Sequence, residues 1–255
     1  FLIFNQYPAR MRYQEWWEAE LVAMFKPYFD EVVEMSGHLI EEEYCSDKFS
    51  PAYASLYWES TQIQNALDFI EPGDILFFCD ISYTGLAPHL IYHYRDNPSF
   101  GYCHATSLNN MDIFEGDQQT KYPIERALMS AMTGVFFGTN YSLNKHYSGG
   151  TNGHVVGLPR APWYPYPWFE VDCSDKVDEA LLSHILDAGF SVGFHDHTVS
   201  ASWETYLRWI SKCRCIVSLA KEETYGYQVM DCESVDVPFI APNDYGYREV
   251  VRPEF

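Results

Sequence analysis

The stretch CIVSLAKEETYGYQVMDCESVDVPFIAPNDYGYREVV, residues 215–251, decides how this chain is read. CIVSLA (215–220) is short, apolar and partly β-branched, the make-up of a buried strand. KEETYG (221–226) follows as a loop, YQVMDCESV (227–235) as a helix, and PFIAP (238–242) as a second strand leading to another loop and helix start. In open parallel α/β sheets, ligands bind beyond the carboxyl ends of the strands. A helix that begins there offers unpaired N–H groups and the positive end of its dipole, both suited to phosphate. Gly226 lets the backbone approach a ligand closely. Glu223 lies in the loop and Asp231 about a turn and a half further on the helix, so two carboxylates can hold hydroxyls on either side of a phosphate group. Ribose, diphosphate and hexose follow one another in that way in a nucleotide sugar.

The same alternation extends outward through the chain. Short apolar runs recur at 1–4, 30–35, 74–81, 99–105, 134–140, 154–158 and 190–194. Between them lie helical patterns: YQEWWEAELVAMFKPYF places Trp17, Leu21, Met24 and Tyr28 on one stripe, and TQIQNALDFI, PIERALMSAM, DEALLSHIL and SWETYLRWI behave similarly. Strands alternating with helices over the whole length predict an α/β fold with a parallel sheet. LPRAPWYPYPWFE (158–170) interrupts the rhythm with prolines at 159, 162, 165 and 167, which neither a helix interior nor a central strand tolerates. This predicts an N-terminal unit over 1–158, a hinge over 159–170 and a C-terminal unit over 171–255. The C-terminal unit is short and the chain opens without methionine, so the second domain is expected to be incomplete.

Composition narrows the function classes. Sixteen basic against 36 acidic residues give a formal charge of −20, a field that disfavours nonspecific binding to nucleic acid or anionic membranes. Seven scattered cysteines, several inside apolar runs, predict free thiols, a reducing compartment and a cytoplasmic location. No apolar run approaches the roughly 18–20 residues that span a bilayer. His195 and His197 in FHDHT alternate along an extended segment rather than converge, and CRC (213–215) lacks the spacing of a zinc knuckle, so no metal site is expected.

SLAKEETYGYQVMDCESVDVPFIAPNDYGYREVV (218–251) resembles the donor-binding motif of GT-B glycosyltransferases, particularly the retaining, GT4-like group. Glu223 matches that motif's first acid, Gly226 its glycine, Pro238 the proline opening the next strand and Glu249 the acid of the final loop. Asp231 stands where the family usually has Glu. The resemblance implies two Rossmann-like domains facing across a cleft. It also implies transfer of a sugar from a nucleotide-diphosphate sugar to an acceptor hydroxyl with retention, without a cofactor or an obligatory metal. Glu223 would orient the donor sugar and Asp231 the ribose, with Thr224, Tyr225, Gly226 and Tyr227 around the phosphates. The family's basic pair at the first strand-loop of the C-terminal domain has no counterpart beyond Lys176, and Arg160 is the possible substitute. GYCHATSLNNMD (101–112) resembles the strand end where such enzymes place a sugar-pocket residue, making His104 the second catalytic candidate and Asp112 the weaker one. Arg10 and Arg12 lie where the first loop should be and, with Glu249, are candidates for contact with acceptor or phosphate.

The acceptor is open among a glycan, a small molecule and a modified DNA base, the last as in phage enzymes that glycosylate hydroxymethylated pyrimidines. That alternative requires Arg10, Arg12, Lys121, Arg126 and Arg160 to share a face. A non-catalytic relative that binds the nucleotide sugar is the remaining alternative.

Overall fold

The computed structural model describes residues 1–5, 14–39, 51–81, 86–109, 118–157, 183, 186–188, 203–218, 220 and 226–251. The chain divides into two compact units, the first comprising 1–8, 17–138 and 143–156, the second 9–16, 139–142 and 157–255.

Six strands form the first unit's sheet: β1 (Leu2–Phe4), β2 (Val33–Met35), β3 (Leu76–Phe78), β4 (Ser99–Tyr102), β5 (Gly134–Phe137) and β6 (Gly153–Val155). Their order is β2-β1-β3-β4-β5-β6 and every neighbouring pair is parallel. The helices between these strands are α1 (Gln14–Phe25), α2 (Pro51–Ala66), α3 (Leu86–His93), α4 (Gln118–Ala131) and α5 (Asn140–Tyr147), of which the first residues of α1 and α5, 14–16 and 140–142, group with the second unit. Central strands of such a sheet are covered on both faces, which explains why LIF and LFF are apolar and buried at every position.

Alternation within the strands sorts their side chains to two faces. Leu2, Phe4, Leu76, Phe78, Val135 and Phe137 share one core cluster with Leu90 and Leu128. Phe4 and Phe78, paired across β1 and β3, stack with centroids 4.9 Å apart. On the other face Phe77 meets Phe25 of α1 at 5.4 Å and Phe136 at 6.0 Å. Full burial of one such ring stabilises the fold by roughly 1.5–3 kcal/mol, so these paired faces hold the sheet together.

The helical stripe expected along α1 is only partly correct. Trp17 and Leu21 are buried, whereas Met24 and Tyr28 are exposed. The row continues through the half-buried Phe25, at the i+4 spacing from Leu21, and α1 ends there, leaving Tyr28 beyond the helix. The helix α3 was not anticipated by periodicity.

The second unit contains α6 (Trp203–Ile210), β7 (Ile216–Val217), α7 (Tyr227–Ser234), β8 (Phe239–Ile240) and α8 (Tyr247–Val250). β7 and β8 pair in parallel, Ile216 opposite Phe239 and Val217 opposite Ile240. Their core gathers Leu207, Ile210, Val229, Cys232, Val237, Phe239 and Tyr247. Of the strand, loop, helix, strand order read from residues 215–251, the two strands and the helix are present, and residues 221–225 lie outside the described residues. The proline-rich segment 159–170 and the runs at 178–182 and 190–194 lie outside the described residues. No described helix is long and apolar enough to cross a membrane.

Candidate functional site

In the first unit the chain winds from β1 to β2 on one side and places β3 on the other, so the switch point of the sheet lies between β1 and β3. Open α/β sheets bind ligands in the crevice beyond such strand ends. Asn5 follows β1, Cys79 and Asp80 follow β3, and Cys103 and His104 follow β4. Buried side chains brace this edge. Gln62 of α2 donates through Nε2 to the carbonyls of Asn5 (2.7 Å) and Met35 (2.8 Å), and Trp58 Nε1 also reaches the Asn5 carbonyl at 3.2 Å. The strand ends of β1 and β2 are thus tied to one helix. Replacing Gln62 with Met, which keeps the volume but removes both donors, is expected to cost about 2 kcal/mol at roughly 1 kcal/mol per hydrogen bond, measurable by urea unfolding.

His104 is held at this edge by three groups. Its Nε2 lies 3.0 Å from the carbonyl of Cys79. Its ring packs against Tyr102 (4.6 Å) and edge-on against Trp17 of α1 (5.6 Å). A carbonyl only accepts, so Nε2 carries the proton and Nδ1 the lone pair. Burial lowers the imidazole's pKa, opposed by the charge of Asp80 and by the Cys79 hydrogen bond. The ring is therefore neutral at physiological pH. The neighbouring thiols of Cys79 and Cys103 are pushed up, chiefly by burial, and stay protonated.

Two further buried polar pairs stand just past His104, and sequence patterns gave no signal for either. Thr106 Oγ1 and His146 Nδ1 share a hydrogen bond of 2.6 Å. Ser107 donates from its backbone N to both oxygens of Glu125 (3.1 Å each) and from its hydroxyl to Oε2 (2.7 Å). Burial raises the Glu125 pKa, partly offset by these bonds. They anchor the loop after β4 to α4 and α5, and so fix the segment that carries His104.

In the second unit the carboxyl end of β7 leads to Ser218 and then to residues 221–225, so Glu223, Thr224 and Tyr225 lie outside the described residues. Gly226 precedes α7 with φ 77° and ψ 68°, a left-handed conformation that favours glycine. It is buried, and a Cβ there would overlap Cε1 of Tyr247 and stand 2.8 Å from Cδ1. The close approach at Gly226 is thus made by a ring of its own unit. Tyr247 is in turn pinned by Ser218 Oγ, 2.7 Å from its hydroxyl, and packs on Phe239. Tyr227 is the first residue of α7.

Asp231 lies on the inner face of α7, 5% exposed, where Oδ2 accepts a hydrogen bond from the Tyr206 hydroxyl of α6 at 2.9 Å. Burial raises its pKa well above the usual carboxylate range, and the Tyr206 bond only partly counters this. The helix turns Asp231 toward α6. Glu249 is exposed, and its carboxylate accepts from Asn140 N (2.7 Å), Asn140 Nδ2 (2.9 Å) and Tyr141 N (2.6 Å), all residues of the second unit. Arg10, Arg12, Asp112, Arg160, Lys176, His195 and His197 lie outside the described residues. Among those described, no group of three or more His, Cys, Asp or Glu is placed to hold a metal ion, and Cys79, Cys103, Cys213, Cys215 and Cys232 are free thiols.

No protein-family model matches the chain, and no curated protein matches it. Among solved structures it is similar to one described as "Crystal structure of GtfA/B complex", at 10% sequence identity and a TM-score of 0.45. That alignment covers 80% of this chain and 48% of the other, so the chain spans about half the length of that structure.

Proposed function

We propose that this chain is a GT-B-type glycosyltransferase that moves a sugar from a nucleotide-diphosphate sugar to an acceptor hydroxyl, with retention and without a metal. The observation that supports this reading most is the β7, α7, β8 arrangement of the second unit. Two parallel strands bracket a helix that starts at a left-handed glycine, in the spacing Glu223, Gly226, Asp231, Pro238, Glu249. Glu223, three residues before Gly226, orients hydroxyls of the donor sugar. The amides opening α7, together with Thr224, Tyr225 and Arg160, stabilise the leaving diphosphate, whose charge grows in the transition state. His104 contributes a neutral imidazole to the sugar pocket. Arg10 and Arg12 serve the acceptor or the phosphate. The acceptor is a glycan, a small molecule or a modified DNA base.

A second reading, a relative that binds the donor without turning it over, is favoured by the burial of Asp231 against Tyr206. Such a carboxylate reaches ribose only after α7 and α6 separate.

A thermal-shift screen across UDP-, GDP-, ADP- and dTDP-sugars tests both. One nucleotide sugar is expected to raise the melting temperature, as any ligand of the folded state does. Glu223→Ala is expected to weaken that binding at least tenfold, a loss of about 1.4 kcal/mol. Release of nucleotide diphosphate from the bound donor separates the enzyme from the silent binder. Absence of a shift with every donor overturns both readings.

A further inference from the structure

The helix α3 carries HLIYH over residues 89–93, an imidazole at each end of one helical turn. Residues at i and i+4 are neighbours on a helix surface, with Cβ atoms roughly 5–6 Å apart. Here the two rings already touch, with centroids 4.5 Å apart and planes tilted by 46°. Both side chains are exposed, while Leu90 between them is fully buried in the sheet's core and Ile91 packs against the same cluster. Those two anchors fix the rotation of α3 about its axis and so hold the histidine face toward solvent. Tyr92 stands edge-on to His93, with centroids 5.4 Å apart, a contact that restricts the outer imidazole further.

The geometry points to His89 and His93 as a two-imidazole surface chelate for a divalent cation of borderline softness, Cu²⁺, Ni²⁺ or Zn²⁺. Imidazole nitrogen suits these ions, whereas Mg²⁺ and Ca²⁺ prefer oxygen. Two ligands on one rigid turn lose little freedom on binding, because the rings are side by side before the ion arrives. Water completes the coordination sphere, since among the described residues no third His, Cys, Asp or Glu joins the pair. A closed structural zinc site needs four protein ligands, so this site is open and exchangeable, and Cu²⁺ binds it most tightly by the usual order of divalent metals. The proposal is independent of the transferase reading, because α3 contributes nothing to the donor motif.

The test titrates the full chain with Cu²⁺ and with Ni²⁺ by calorimetry. Parallel titrations use His89→Ala, His93→Ala and the double variant His195→Ala/His197→Ala, which removes the other closely spaced histidine pair. Circular dichroism checks that each variant stays folded, as substitution of exposed side chains should allow. The expected result is one ion bound by the wild type, at least tenfold weaker binding in each α3 variant, and unchanged binding in the double variant. Wild-type affinity in either single α3 variant, loss of binding in the double variant, or no binding by the wild type overturns the proposal.

Discussion

Gly226→Ala is expected to destabilise the second unit by about 3 kcal/mol. Two costs combine. An L-residue in the left-handed region loses roughly 1–2 kcal/mol relative to glycine. Forcing a methyl group into a packed interior adds about 1–3 kcal/mol. The second cost is hard to relax here, because the Tyr247 ring that the new Cβ meets is 1% exposed and hydrogen-bonded through its hydroxyl to Ser218. Amide hydrogen exchange of α7 and β8 measures the change locally, without assuming that both units unfold together. A double-mutant cycle with Tyr247→Ala isolates the steric part: in that background Gly226→Ala should retain only its backbone cost, about 1 kcal/mol. Equal costs in the two backgrounds would show that Tyr247 is not what requires a glycine.

The second large effect concerns pH. His146 is fully buried, shares a hydrogen bond with Thr106 through Nδ1, and has no partner for Nε2 among the described residues. Burial, aided by the charge of Lys145, lowers its pKa from the ordinary 6.5 to about 3. The unfolded chain therefore takes up this proton more readily than the folded one. The histidine's contribution is fully present above the unfolded pKa and is lost progressively as pH falls from about 6.5 toward 3. Between pH 7 and pH 4 that loss amounts to about 3 kcal/mol, at 1.36 kcal/mol per pKa unit. Glu125 and Asp231 act in the opposite direction, since burial raises their pKa values and protonation relieves it. The measurement is accordingly a difference: hydrogen-exchange stability of β4 and β5 at pH 7, 6, 5 and 4, in the wild type and in His146→Gln. The variant should lose about 3 kcal/mol less over that range; parallel pH profiles would assign the acid sensitivity elsewhere.

The strands were legible because parallel sheets cover both faces, which leaves continuous apolar runs such as LIF and LFF in the sequence. The frame of residues 215–251 was legible for a related reason, since a strand, a loop ending in glycine and a helix each carry their own local chemistry. Side-chain direction was less so. Spacing alone placed Met24 in the row of Trp17 and Leu21 on α1, although the half-buried Phe25 occupies that place and Met24 is exposed. Periodicity picked out the eight-residue α6 but not the equally short α3, whose sequence carries Pro88, a residue that reads as a breaker. Thr106–His146 and Ser107–Glu125 join residues 40 and 18 positions apart, and no local pattern encodes such pairings.

By itself the sequence determined the alternation of strands and helices, the parallel class of sheet and the need for a glycine at 226, because these follow from local preference and apolar patterning. Only the tertiary structure decided what that glycine accommodates and where the acids point. The partner of Gly226 is a ring 21 residues further along the chain, and the partner of Asp231 is a hydroxyl 25 residues before it. Carboxylate spacing sets which turn of a helix an acid occupies. Whether that turn faces solvent or another helix depends on how α7 packs on α6, and the packing is a property of the whole unit.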